Sequence, residues 1–101
     1  MTRPEVIELG DKLLNSCLDI MKAKNNDYAS NEDPFANFKG SSFLGVEPEI
    51  GILLRSMDKF KRIETYVKDG KLLVEGEGVD DAIKDVINYM ILLYGLILEK
   101  Q

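Results

Sequence analysis

The stretch from Val86 to Leu98 constrains this chain more than any other part of it. Val86, Ile87, Met90, Ile91, Leu92, Leu93, Leu96, Ile97 and Leu98 leave a helix there apolar nearly all round, with Asn88 and Gly95 as interruptions. A helix that is apolar on every side must be covered on every side. The stretch falls short of the ~20 residues that span a bilayer, so protein rather than lipid has to do the covering. Two neighbouring helices in a chain of 101 residues could hardly supply enough surface. The expectation is a helix at a subunit interface, in a two-fold symmetric dimer or a higher homo-oligomer, and no membrane partner.

Two further helices are legible. Thr2 and Glu5 have the spacing of a capping box, and Pro4 falls in the first turn, where its missing N–H costs little. From there Val6, Leu9, Leu13, Cys17 and Ile20/Met21 recur at helical spacing, and the pattern fades at Lys22-Ala23-Lys24. A second helix starts near Pro48, carries Ile50, Leu53, Met57, Phe60 and Val67 as its apolar stripe, and ends at Asp69-Gly70. Lys71-Leu72-Leu73-Val74 reads as briefly extended, and the third helix runs from Val79 to Lys100. Residues 25–46 form a long loop in which Asp33-Pro34 starts a short helical turn through Lys39. Its aromatics favour an ordered loop, with Phe35 and Phe38 anchoring it to the core. The fold class expected is all-α, a single domain over residues 1–101.

Composition excludes a good deal of chemistry. There is no histidine, and Cys17 is the one cysteine, so imidazole ligation, Ser-His or Cys-His nucleophile pairs and an intrachain disulfide are all out of reach. A metal would be held by oxygen, which means magnesium, manganese or calcium. The net charge of −5 argues against a nucleic-acid polymer as partner, because a surface that displaces counterions from a phosphate backbone needs a basic excess. A small phosphorylated ligand needs a local basic cluster alone. No segment near Met1 has the apolar core of a signal peptide, so a reducing cytoplasm is the expected location.

Three constellations carry polar residues at meaningful spacing. Glu77, Asp81 and Asp85 recur every four residues and point to one side of a helix, with Asn88 three residues further along the same side. Such a ladder suits a divalent cation, although carboxylates are also favoured at a helix start by the dipole. Asp85 lies furthest in, among Ile83, Val86 and Ile87, where a charge needs a partner. On the second helix Arg55, Asp58, Lys59 and Arg62 are neighbours: a phosphate clamp with one acid, or a surface strip of ion pairs. In the loop, Lys24, Asn25, Asp27, Tyr28 and Asn37 are the residue types that read a base or ribose, and equally the types that make turns.

Taken in chain order, Lys24-Asn25-Asn26-Asp27-Tyr28, Asn37-Phe38, Arg55-x-x-Asp58-Lys59-x-x-Arg62 and Glu77-x-x-x-Asp81-x-x-x-Asp85-x-x-Asn88-Tyr89 resemble the phage-associated family called nucleotide modification associated domain 1, over about residues 22–98. More distantly the chain is similar to the all-helical MazG-like nucleotide pyrophosphohydrolases. The resemblance implies a MazG-like helical bundle completed by oligomerisation, a nucleotide ligand and a phage or prophage origin. For the hydrolytic relatives it implies magnesium, with Asp58, Glu77, Asp81 and Asp85 as ligands and Arg55, Lys59 and Arg62 facing phosphate. Two positions depart from the hydrolase pattern: Lys61 stands where a second acid of the earlier helix is expected, and Ala82 stands three residues before Asp85.

The expected function is therefore a nucleotide-binding protein that holds, and sequesters, a nucleotide or nucleotide-derived signal at a subunit-boundary pocket, in the manner of a phage protein countering bacterial defence. Lys24, Asn25, Asp27, Tyr28, Asn37, Arg55, Lys59, Arg62 and Asn88 would line that pocket. The alternatives are a magnesium-dependent nucleoside triphosphate pyrophosphohydrolase, with Asp81 and Asp85 as its catalytic acids, and a helical module that binds another protein.

Overall fold

The computed structural model describes residues 1–27, 33–39, 44–71 and 78–101, with the side chains of residues 25–27 and 37 outside that description. It is all-α. Four helices follow in order: α1 Arg3–Asp27, α2 Ala36–Lys39, α3 Pro48–Asp69 and α4 Val79–Glu99. Among the described residues there is no strand, and no helix is long and apolar enough to cross a membrane. The expected extended segment after Lys71 and the residues Tyr28, Phe43 and Glu77 lie outside the described residues.

The helix ends follow local chemistry. The Glu5 N–H donates to the Thr2 hydroxyl at 3.3 Å, and the Thr2 N–H donates to the Glu5 carboxylate at 3.4 Å, closing the capping box. α1 runs a turn beyond the expected fade at Lys24, so Asn25 and Asp27 are helical rather than in a loop. Loss of the apolar period removes the packing signal without breaking the helix, since no proline or glycine intervenes. α3 opens on Pro48 and closes at Gly70, whose φ of 75° is the left-handed conformation that glycine adopts without a Cβ penalty. α4 opens at Gly78, whose N–H donates to the Asp81 carboxylate at 3.2 Å.

α4 is the central helix. It packs against α3 along most of its length and meets α1 over a shorter stretch, while α2 rests on α3. Lys100, at the end of α4, pairs with Glu49 at 2.6 Å and Glu47 at 3.3 Å at the start of α3, which marks the two helices as antiparallel. α1 crosses α4 where the Asn88 amide donates to the Cys17 carbonyl at 3.0 Å. Burial there pushes the Cys17 thiol up from its ordinary range, partly offset by Lys84.

The core lies between α2, α3 and α4. Phe35, Phe38, Ile52 and Leu96 are buried together, with Tyr89, Leu92 and Leu93 against them. Phe38 meets Tyr89 edge to face at 6.3 Å. A Cβ on Gly95 would come within 3.0 Å of the Phe35 ring, so α2 can sit this close to α4 because residue 95 has no side chain.

Asp33 organises the entry to α2. Its carboxylate accepts the Phe35 N–H at 3.0 Å and pairs with Lys39 at 2.9 Å. The Lys39 hydrogen bond first, and then the Phe35 N–H, hold the Asp33 carboxyl below the usual carboxylate range. A depressed folded pKa stabilises the fold above the unfolded value and loses that contribution as pH falls through the folded one. In an acid titration followed by NMR, Asp33 is expected to titrate below the ordinary aspartate range, and the Phe35 amide to lose its shift with the same midpoint. An ordinary midpoint at Asp33 contradicts the contact.

Candidate functional site

Where α1, α3 and α4 come together the structure forms a partly open cavity of about 250 Å³. Its walls are Ile20 and Lys24 of α1, Lys59 and Arg62 of α3, and Gly78, Asp81, Ala82 and Asp85 at the start of α4. Of the thirteen residues singled out from the sequence, the structure brings Lys24, Lys59, Arg62, Asp81 and Asp85 to this one place. They reach it from three helices and from positions 24 to 85. Three cations and two carboxylates give the lining a formal charge of +1, in a chain whose net charge is −5.

The polar groups are already organised. The Lys59 ammonium lies 2.9 Å from the Asp85 carboxylate, and both side chains are mostly withdrawn from water, at 18% and 24% exposure. Asp85 thus has the partner that its apolar neighbours demand. Arg62 pairs with Asp58 at 3.4 Å on the outward side, one helical turn apart, and Asp58 is not among the cavity's lining residues. Asp81 spends one carboxylate oxygen on the helix start, while Lys84 turns to Asp80 at 3.9 Å.

The remaining residues go elsewhere. The Arg55 guanidinium lies over the Phe38 ring, 4.9 Å from its centroid, on the α2 side of α3. Asn88 is buried at the α1–α4 crossing, where its amide holds the Cys17 carbonyl, and it does not line the cavity. Asn25, Asp27 and Asn37 are placed by their backbone on the last turn of α1 and in α2. Their side chains, with all of Tyr28 and Glu77, lie outside the described residues.

Among the described residues no group of three or more carboxylate, thiol or imidazole side chains is arranged to hold a metal ion. Asp81 and Asp85 stand one turn apart on the cavity wall, and Asp58 faces the other way towards Arg62. Of the four expected ligands these are the three that the structure describes, Glu77 lying outside the described residues. Ala82, 4% exposed, lines the cavity between Asp81 and Asp85.

Sequence reasoning did not single out Ile20, Gly78 or Ala82 as lining. Ile20 was legible as part of the α1 stripe, and Gly78 as a break before the last helix. Neither carries a signal for a cavity, since apolar walls have the same residue types as a core. No family profile matches this chain, and no curated protein or solved structure is detectably similar to it.

Proposed function

We propose that this chain binds a small phosphate-bearing molecule of the nucleotide class in the cavity between α1, α3 and α4. The observation that carries the reading is the convergence of Lys24, Lys59 and Arg62 on one partly open cavity in an otherwise acidic chain. A guanidinium offers forked donors that match phosphate oxygens, the Lys59 ammonium stands beside it on α3, and Lys24 adds point charge from α1. The volume lies just under the roughly 300–1,000 Å³ of typical small-molecule sites, which fits a phosphorylated sugar or part of a mononucleotide rather than a polymer.

Holding rather than cutting is the better-supported mode. Asp85 is engaged by Lys59 and Asp81 by the start of α4, which leaves few oxygens for metal-activated water. The setting we attach to this reading is the cytoplasm of a phage-infected cell, where a sequestered nucleotide signal would be withheld from bacterial defence. The order and spacing of the polar motifs support that setting. The magnesium-dependent pyrophosphohydrolase is kept as a second reading because Asp81 and Asp85 share one wall of the cavity. A magnesium ion carried in on the ligand's phosphates would meet both.

The test is incubation with a nucleotide panel that includes cyclic and ADP-ribose-type molecules, with and without magnesium, followed by filtration and chromatography of both fractions. A nucleotide retained by the protein and recovered intact supports binding. Magnesium-dependent release of a monophosphate overturns it in favour of hydrolysis, and neither retention nor turnover of any phosphate-bearing compound overturns both.

A further inference from the structure

α1 is held to the rest of the chain at one crossing. Of its described side chains only Cys17 is buried, at 0% exposure, and the others are half-buried or exposed. Two polar contacts across the crossing run through that residue. The Cys17 thiol points to the Lys84 carbonyl at 3.9 Å, and the Cys17 carbonyl accepts the Asn88 amide at 3.0 Å. α1 and α3 stay more than 8 Å apart, Cα to Cα, throughout the described residues. The cavity lies between them, so its α1 wall stands where the crossing puts it.

The Asn88 side chain does little for the fold itself. The carbonyl it holds lies inside α1, where the helix's own ladder already supplies the Met21 N–H. Asn88 is 8% exposed, and its Oδ1 is buried with no hydrogen-bond partner among the described residues, which costs stability. Leucine has nearly the same size and would bring neither the donor nor the orphaned oxygen. What the amide adds is direction. A hydrogen bond fixes where α1 sits on α4, whereas apolar burial is non-directional and lets the helix slide or tilt.

That direction matters to the cavity. Ile20 stands nearly one turn beyond Cys17, and Lys24 stands two turns beyond it on nearly the same face, since seven residues bring a helix back to within about 20°. From the crossing, α1 therefore carries both residues to the cavity, where they meet the start of α4 and join Lys59 and Arg62 of α3.

We propose that Asn88 is a positioning residue for this cavity: through the Cys17 carbonyl it holds the α1 wall so that Lys24 shares an anion with Lys59 and Arg62. It does not touch the anion. The proposal rests on the phosphate-binding reading given above. Without the amide, α1 takes up a range of positions, and apparent affinity falls with the fraction of chains whose wall is in place. The anion itself then bridges two helices that do not otherwise meet.

Inorganic pyrophosphate is the probe, because it carries the phosphate chemistry and nothing else. Asn88→Leu is expected to keep or raise the melting temperature while weakening pyrophosphate about three- to tenfold in isothermal titration, the worth of one buried hydrogen bond. Lys24→Met removes the cation that the amide positions, so adding Asn88→Leu to it should cost little more. In the ligand-free chain, Asn88→Leu is expected to quicken amide exchange along residues 13–24 and leave that of α3 unchanged. An unchanged affinity, a loss that adds in full to that of Lys24→Met, or a variant that no longer folds assigns Asn88 to packing alone and overturns the proposal. Failure of the binding reading looks different, because the intact chain then takes up neither pyrophosphate nor any nucleotide of the panel. Should the intact chain not take up pyrophosphate, the exchange along α1 decides: a quickened rate in Asn88→Leu supports positioning, and an unchanged one overturns it.

Discussion

Phe38→Ala is expected to destabilise the fold by about 3–5 kcal/mol, the usual cost of removing a buried phenylalanine. Phe38 is 6% exposed and sits in the cluster with Phe35, Ile52 and Leu96, so little can collapse into the space it leaves. Its ring also meets Tyr89 edge to face and lies under the Arg55 guanidinium, two contacts that alanine cannot replace. In a domain of this size each kcal/mol moves the melting temperature by about 4–8 °C, so a fall of more than 12 °C is the expected reading. Calorimetry of the variant beside Val6→Ala, which changes a side chain 52% exposed on α1, separates a core effect from a general one. If both variants melt alike, α2 is not docked as described.

That prediction turns on a segment the sequence left half-read. The short turn from Asp33 was legible because an Asp-Pro start and a following Lys39 are local signals, and the structure realises them in hydrogen bonds no more than six residues apart. What the segment packs on was not legible. Gly95 looked like an interruption of an apolar helix, yet its missing Cβ is what admits the Phe35 ring. A glycine in a helix carries no mark of the neighbour it makes room for.

The long helices show the same division. Their ends followed capping and glycine chemistry, because these depend on residues a few places apart. The direction in which α3 presents itself did not follow. Its stripe of large apolar residues is bare, and α4 instead meets the line through Ile52 and Ser56, a line that also carries the charged Lys59. Hydrophobic periodicity says that a face will be covered without saying by which partner. At the cavity, charge and spacing found the residues that carry charge, and gave no sign that the buried Ala82 lines it.

Asp85→Asn and Lys59→Met are expected to move ligand affinity in opposite directions. Lys59 and Asp85 share an ion pair at 2.9 Å on the cavity wall, so a bound anion competes with Asp85 for the ammonium. Neutralising Asp85 raises the formal charge of the lining from +1 to +2 while keeping a hydrogen-bonding group of the same shape. At this degree of exposure a nearby charge is worth about 1 kcal/mol, so a phosphate-bearing ligand should bind about fivefold more tightly. Lys59→Met keeps the length of the stem and removes the charge. Affinity should then fall by tenfold or more, because the ligand loses one cation and faces an unpaired Asp85 as well. Isothermal titration of both variants with the nucleotide that the panel selects reads the two signs directly. The hydrolase reading predicts that Asp85→Asn also abolishes magnesium-dependent turnover, since an acid that positions a metal ion cannot be neutralised without that loss. A tighter complex with Asn at position 85 therefore marks Asp85 as the internal competitor of the ligand, held against Lys59 until a phosphate replaces it.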